Sequence, residues 1–400
     1  MAVCESDKAL PVPNARAVEI DKYWSSVPKD PVQQGANMDE DPRKLSRNAV
    51  AIRLGAIGAA VVCMACGFAY VGGWFTPGRL TQGKVIDGFE AVNGKHVGFR
   101  RNHAKGLCAT GWFDSNGAGV PFSKADVLAP GRVPVTARFA FAGGMPFIPD
   151  APNLVRSLAM QLKPPGGEEW RTAMIDIPVF PFDNVQAFYA QMIASVPDQK
   201  TGKPDPEKMK AFAAAHPAFV SAVGIVGKRA VSSGFANSTY NGLDTFVFVN
   251  QAGASVPVRW SAVPVQPFAP VGPQAAGDPN YLFNALIADA ARQPLQWKMV
   301  VTIGHAGDPV SPNLPWPDDR THVEVGTVTL DKLTAEDAGT CTDINFDPTV
   351  LPAGMTTSAD GIPSARSAAY ARSFTLRERE RAAKPPGAVT EAEVQAGGRS

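Results

Sequence analysis

Several kinds of residue and motif are scarce in this sequence, and each scarcity removes a class of function. Neither sign of charge is in excess: Lys and Arg together number 38 against 37 for Asp and Glu, a formal net charge of +1. That leaves no electrostatic footprint for nucleic acid and gives no reason to expect an acidic partner. The chain has only five histidines, and His96, His103, His216, His305 and His322 show no H-x-x-x-H spacing of the kind that holds a metal. No convincing G-x-S-x-G, P-loop or G-x-G-x-x-G is present, which argues against a nucleophile elbow or a nucleotide cradle. No internal repeat is visible. Cysteine is equally sparse, at Cys4, Cys63, Cys66, Cys108 and Cys341. Cys63 and Cys66 form a C-x-x-C, but inside an uninterrupted apolar run. A thiolate is costly in such a medium, so the pair reads as two lipid- or core-facing thiols, not a redox or zinc site. Cys108 and Cys341 lie outside that run. In an oxidising compartment they are able to pair, but their spacing does not decide it.

Charge is also missing from one long stretch. Leu54 to Trp74 reads LGAIGAAVVCMACGFAYVGGW, with no charged residue and no polar stripe. Its 21 residues are enough to cross a bilayer core of about 30 Å. Arg43, Lys44, Arg47 and Arg53 precede it, and only Arg79 and Lys84 follow closely. By the positive-inside rule the N-terminus stays cytoplasmic and the bulk of the chain crosses. The long polar leader favours a signal anchor over a cleaved signal peptide. The expected organisation is a disordered cytoplasmic tail over 1–48, a transmembrane helix over 50–75, a folded body over 76–377, and a frayed tail over 378–400.

Gly and Pro are plentiful, at 37 and 36, so the body is expected to be rich in turns. Alternating stretches at 134–141, 245–250, 255–263, 297–304 and 322–330 predict strands. Helices are expected at 184–196, 206–224 and 280–293, with a kink or break at His216-Pro217. The class is α+β, built on a closed or curled antiparallel sheet.

Two short segments carry the chemistry. His103 lies in GFRRNHAKGLCATGWF (98–113), with Arg100 three residues before it. Arg366 and Tyr370 are four residues apart in SARSAAYARSFTLR (364–377), so on a helix they share a face. Alone, each segment has a bland structural explanation. Together with ARFA (137–140), PVF (178–180), NSTYNGLDTFVFVN (237–250) and FDPTVLPAG (346–354), all in order, they resemble the haem catalase family. The resemblance is to its short branch, the catalase-related peroxidases, and runs from about Leu80 to Arg377.

That resemblance implies a catalase-like antiparallel β-barrel with surrounding helices, and b-type haem with ferric iron as cofactor. It implies Tyr370 as the axial iron ligand. A free phenol has a pKa of about 10, and both iron and the Arg366 cation favour its anion. It implies His103 on the opposite face as acid and base. Arg100, Arg138 and Arg377 match positions that pair with or flank the haem propionates, and Arg366 stands beside the tyrosine.

Two positions depart from the pattern. The family carries an asparagine three residues before the PVF proline; here it is Ile175, which offers no hydrogen bond, and the following Asp176 is expected to face away. The serine that follows Arg-Phe and bonds the distal histidine is Ala140 here, which leaves His103 less firmly oriented. Both departures favour slow peroxidase turnover, with hydrogen peroxide or organic hydroperoxides as oxidant and a small organic reductant, over dismutation. A dismutating catalase, a haem carrier or sensor without turnover, and a hydroperoxide isomerase are the competing readings. The chain ends soon after Arg377, and no nicotinamide cofactor is expected. Assembly into a homo-oligomer stays open.

Overall fold

The structure, a computed structural model, describes residues 46–72, 74–75, 78–272 and 277–397. The expected disordered tail falls outside the described residues up to position 45. Helix α1 (Arg47–Val71) occupies the apolar run and buries none of its residues. At 25 residues it is long and apolar enough to cross a membrane. Cys63 and Cys66 are free, exposed thiols on it.

The body opens with α2 (Gln82–Asn93), started by Thr81, whose hydroxyl accepts from the Lys84 amide. Strands β1 (Gly106–Ser115), β2 (Gly131–Phe141), β3 (Arg156–Leu162) and β4 (Trp170–Ile175) form an antiparallel meander. Helices α3 (Val185–Ala194), α4 (Pro206–Ala215) and α5 (Pro217–Gly227) follow. The break at His216 falls where Pro217 cannot continue the helix, and the chain bends there by 103°. Next come β5 (Tyr240–Asn241), β6 (Phe246–Val249), β7 (Ser255–Pro264), α6 (Tyr281–Arg292), β8 (Leu295–Ile303), β9 (Thr321–Ala335), β10 (Met355–Thr357), α7 (Gly361–Glu380) and α8 (Glu391–Gly397).

Pairing of β7 with β8 closes the sheet into an eight-stranded antiparallel barrel, β1-β2-β3-β4-β5-β7-β8-β9, with β6 and β10 paired beyond β7. Alternation sorts the side chains. Val133, Val135, Ala137 and Phe139 of β2, Leu158 and Met160 of β3, and Trp170 and Met174 of β4 enter the apolar core with Trp260 and Trp297. Of the intervening residues, Arg138, Ser157, Ala159, Ala173 and Ile175 face a cavity shared with α2, α3 and α7, while Pro134 is exposed.

The expected frayed tail over 378–400 is instead ordered as far as it is described. Helix α7 runs on to Glu380, and Val389 and Val394 are buried in the barrel's core cluster. The Ala335 amide donates to Glu391 and Asn280 Nδ2 to the Ala388 carbonyl, tying the segment to β9 and the start of α6. Two valines and these polar ties outweigh a composition that reads as disordered.

Candidate active site

One cavity lies between the outer face of β2–β4 and the helices α2, α3 and α7, and it brings together His103, Arg100, Arg138, Arg366, Tyr370 and Arg377. Its sheet wall is built from two rungs of the ladder. One rung runs Ala140–Ser157–Ile175–Asn241 across β2, β3, β4 and β5. The other runs Cys108–Arg138–Ala159–Ala173 across β1 to β4. Ala159 and Ala173 leave a smooth floor beside Arg138.

His103 sits before β1 in a left-handed backbone conformation (φ 56°). That is uncommon for a residue with a side chain, and such outliers gather at functional sites. Asn102 holds the turn: its Oδ1 accepts from the His103 amide (3.0 Å) and from the Gly143 amide (2.8 Å). The lysine of the HAKG segment serves the scaffold. Lys105 is buried, and its ammonium donates to Asp150 (2.6 Å) and to the carbonyls of Ile148 and Pro279. Gly106 is required by close approach, since a Cβ there would stand 2.5 Å from the Arg138 guanidinium and 2.6 Å from the Phe139 carbonyl.

The loss of serine at position 140 is made good one strand over. Ser157, paired directly with Ala140, places its Oγ 3.1 Å from His103 Nδ1 and donates to the Ala140 carbonyl at 3.2 Å. With its proton committed to that carbonyl, the hydroxyl accepts from Nδ1–H, which leaves the Nε2 lone pair free. His103 is therefore better oriented than Ala140 suggested. Burial, followed by the charges of Arg138, Arg366 and Arg100, pulls its pKa down to about 3. Ile175 lines the cavity, as the sequence implied, and Asp176 faces away. The Asp176 Oδ1 accepts from the Arg156 amide at 2.9 Å. Asn241, beside Ile175, lines the same wall, and its Nδ2 donates to the Ile177 carbonyl.

The opposite wall is α7. Asp360 caps it by accepting from the Ile362 amide. Arg366, Tyr370, Ser373 and Arg377 recur at helical spacing along the cavity-facing side. Arg366 Nη2 donates to the Tyr370 oxygen (3.3 Å), while Nη1 pairs with buried Asp244. Burial works against the Arg366 charge, but Tyr370 and Asp244 outweigh it and hold its pKa above the usual arginine range. The FDPT segment anchors this helix: Asp347 accepts from the Thr349 amide and hydroxyl with one oxygen and from Ser367 Oγ (2.6 Å) with the other.

At one end of the cavity three guanidinium groups converge. Arg100 Nη2 donates to the carbonyls of Cys341 (3.0 Å) and Ile344 (3.1 Å). Arg138 Nη2 donates to Glu336 (2.9 Å). Arg377 is 4% exposed, and neither of its Nη atoms has a hydrogen-bond partner among the described residues; nor does Arg138 Nε. Buried donors without acceptors are expensive to leave. These fit the acidic edge of a ligand, and the tyrosine oxygen beside an arginine fits a hard metal centre. The donor set therefore suits haem. Behind this end Cys108 and Cys341, left open above, form a buried disulfide.

Comparison with known proteins agrees with this architecture. The Catalase family profile matches residues 75–382. A catalase-related peroxidase of Synechococcus elongatus is 34% identical over 334 residues, covering 82% of this chain and 96% of that protein. One from Mycolicibacterium paratuberculosis is 26% identical over 75% of this chain and 96% of its own length. Among solved structures, a bacterial catalase superposes with a TM-score of 0.61 at 21% identity, over 73% of this chain and 60% of its own. A fungal catalase gives 0.63 at 17% identity, over 73% and 62%. At those identities the two structures speak for the fold, and this chain spans about 60% of each. The profile and the Synechococcus relative together establish that the chain belongs to the catalase family, in its branch of catalase-related peroxidases.

Proposed function

We propose that this chain is a haem peroxidase that reduces hydrogen peroxide and organic hydroperoxides with a small organic reductant. The observation that carries the reading is the meeting in one cavity of an oriented neutral imidazole, an arginine-backed phenol and an arginine cluster in which both Nη atoms of Arg377 have no hydrogen-bond partner among the described residues. Tyr370 would hold the iron through its oxygen, and Arg100, Arg138 and Arg377 would hold the two propionates. When bound, haem supplies the two electrons that cleave the peroxide O–O bond. His103 Nε2 would take a proton from one peroxide oxygen and return it to the other as the O–O bond breaks; Ser157 holds the ring for this work. Arg366 donates to the phenol oxygen and is itself held in place by Asp244. Val85, Ile86, Phe89, Val185 and Phe188 make the helix side of the cavity apolar, which suits an organic peroxide. Ser157 removes one of the two supports, Ala140 and Ile175, of the reading as a carrier without turnover; Ile175 remains in the cavity wall.

We further propose that α1 anchors the protein as a single pass, with the N-terminus cytoplasmic and the haem domain on the extracytoplasmic side. The basic residues before the span and the buried disulfide after it support this.

The test is the absorption spectrum of purified full-length protein loaded with haem, wild type against Tyr370→Phe. A ferric phenolate spectrum is expected in the wild type and is expected to vanish in the variant, with peroxidase activity down by at least about 100-fold. A spectrum unchanged by the substitution removes Tyr370 as the ligand.

A further inference from the structure

Glu336, just after β9, lies behind the arginine cluster and does not line the cavity. It is 7% exposed. Its Oε2 accepts from Arg138 Nη2 at 2.9 Å and its Oε1 from Arg100 Nε at 3.4 Å. No motif pointed to it, and the proposed reaction does not use it.

Its position answers an electrostatic problem. Three guanidinium groups share one buried end of the cavity, and like charges brought together out of water repel strongly. The Arg100 pKa is pulled down to about 9 by burial and by the charges of Arg138 and Arg377, and Glu336 opposes this. Burial alone would raise the Glu336 carboxyl; Arg138 and Arg100 outweigh it and hold the group down to about 2. Among the described residues Glu336 is the carboxylate that hydrogen-bonds to this cluster; nearby Lys384 is paired with Asp337, and Arg381 with Glu378. The three guanidinium groups therefore keep an excess of positive charge toward the cavity. Haem carries two propionate groups, and the unpartnered Nη atoms of Arg377 mark where part of that charge would go.

We propose that Glu336 is a resident counter-ion that stabilises the proposed propionate-binding arginines before haem arrives and leaves the cluster with an excess of positive charge for a dianionic edge. This rests on the haem reading above. Glu336 then matters most to the haem-free protein, because in the loaded protein the propionates share its task. A carboxylate serving only general packing would matter equally in both forms. One that held haem directly would matter more in the loaded form.

The experiment compares thermal unfolding of full-length protein in detergent, with and without haem, for wild type and Glu336→Gln; Soret absorbance monitors loading. The variant is expected to lower Tm of the haem-free form by roughly 5–10 °C and that of the loaded form by less than half as much. The limiting form of that result is a variant that folds only when haem is supplied. Equal losses, a larger loss in the loaded form, or failure to fold in both conditions would overturn the proposal. The double variant Arg100→Gln/Glu336→Gln removes a cation with the anion. It is expected to regain part of the haem-free Tm lost in Glu336→Gln, and no recovery also counts against the charge balance. Should wild type show no Soret band on haem addition, the haem reading falls and takes this inference with it. A normal band with equal Tm losses sinks this inference alone.

Discussion

At the scale of single residues, the cavity shows how a function persists while the residue that supplies it changes place. Positions 140 and 157 face each other across β2 and β3, and the hydroxyl at 157 reaches His103. Ser157→Ala removes a hydrogen bond worth about 1 kcal/mol and is expected to lower kcat/KM for peroxide by about five- to tenfold. Ser157→Ala/Ala140→Ser returns the hydroxyl from the other strand and is expected to recover most of the loss. An unaffected single variant, or a double variant no better than the single, would dismiss the orienting role. The same imidazole fixes a pH dependence. With a folded pKa of about 3, below its usual 6.5, His103 contributes stability that is complete above pH 6.5 and is lost as pH falls toward 3. Peroxidase activity is therefore expected to show no acid limb near pH 6.5; a limb there in the wild type that disappears in His103→Gln would overturn the lowered His103 pKa. Ile175 is the other altered position. Ile175→Asn puts an amide beside Asn241 and within the cavity wall, and oxygen release from hydrogen peroxide is expected to rise about fivefold relative to donor oxidation. An unchanged ratio would mean that the dryness of this wall does not set the balance between dismutation and peroxidation.

At the scale of elements, the helix that carries Tyr370 is held less by its own composition than by the segment before it. One Asp347 oxygen organises its own turn and the other grips Ser367, one turn before Tyr370. Asp347→Ala is expected to cost about 1–3 kcal/mol and to speed haem loss to apomyoglobin, measured by the Soret shift. Unchanged haem loss would show that α7 is positioned without this brace. The elements also show what could be read from the chain alone. Strands such as β7 and β8 alternate visibly, and the helices over 185–194 and 281–292 appear at their expected places. Strands β1, β3 and β4 escaped notice because one face enters the core and much of the other is covered by helices or lines the cavity, so polar alternation is lost. Helix α2 escaped because its two interior glycines blur the pattern, although Val85, Ile86 and Phe89 from it line the cavity. The motif residues His103, Arg366 and Tyr370 were legible because they act through local spacing. Ser157 and Glu336 were not, because each reaches its partner only through the barrel's register or its closure.

At the scale of the whole molecule, the disulfide links cofactor site to compartment. Cys108 and Cys341 are 233 positions apart, and both ends meet the arginine cluster. Cys108 faces Arg138 across β1 and β2, and the Cys341 carbonyl accepts from Arg100. A bond in that place braces the arginine end of the cavity, and disulfides form in oxidising environments. If α1 leaves the body outside the cytoplasm, the two thiols are oxidised in native membranes. Denaturing alkylation without reductant is then expected to label Cys63 and Cys66 and to spare Cys108 and Cys341 until reductant is added, as read by peptide mass spectrometry. Cys108→Ser/Cys341→Ser is expected to lose about 3–5 kcal/mol of stability and to release haem at least several-fold faster. Full labelling of positions 108 and 341 in membranes that were never reduced would place the body on the reducing side, whatever the charges around α1 suggest.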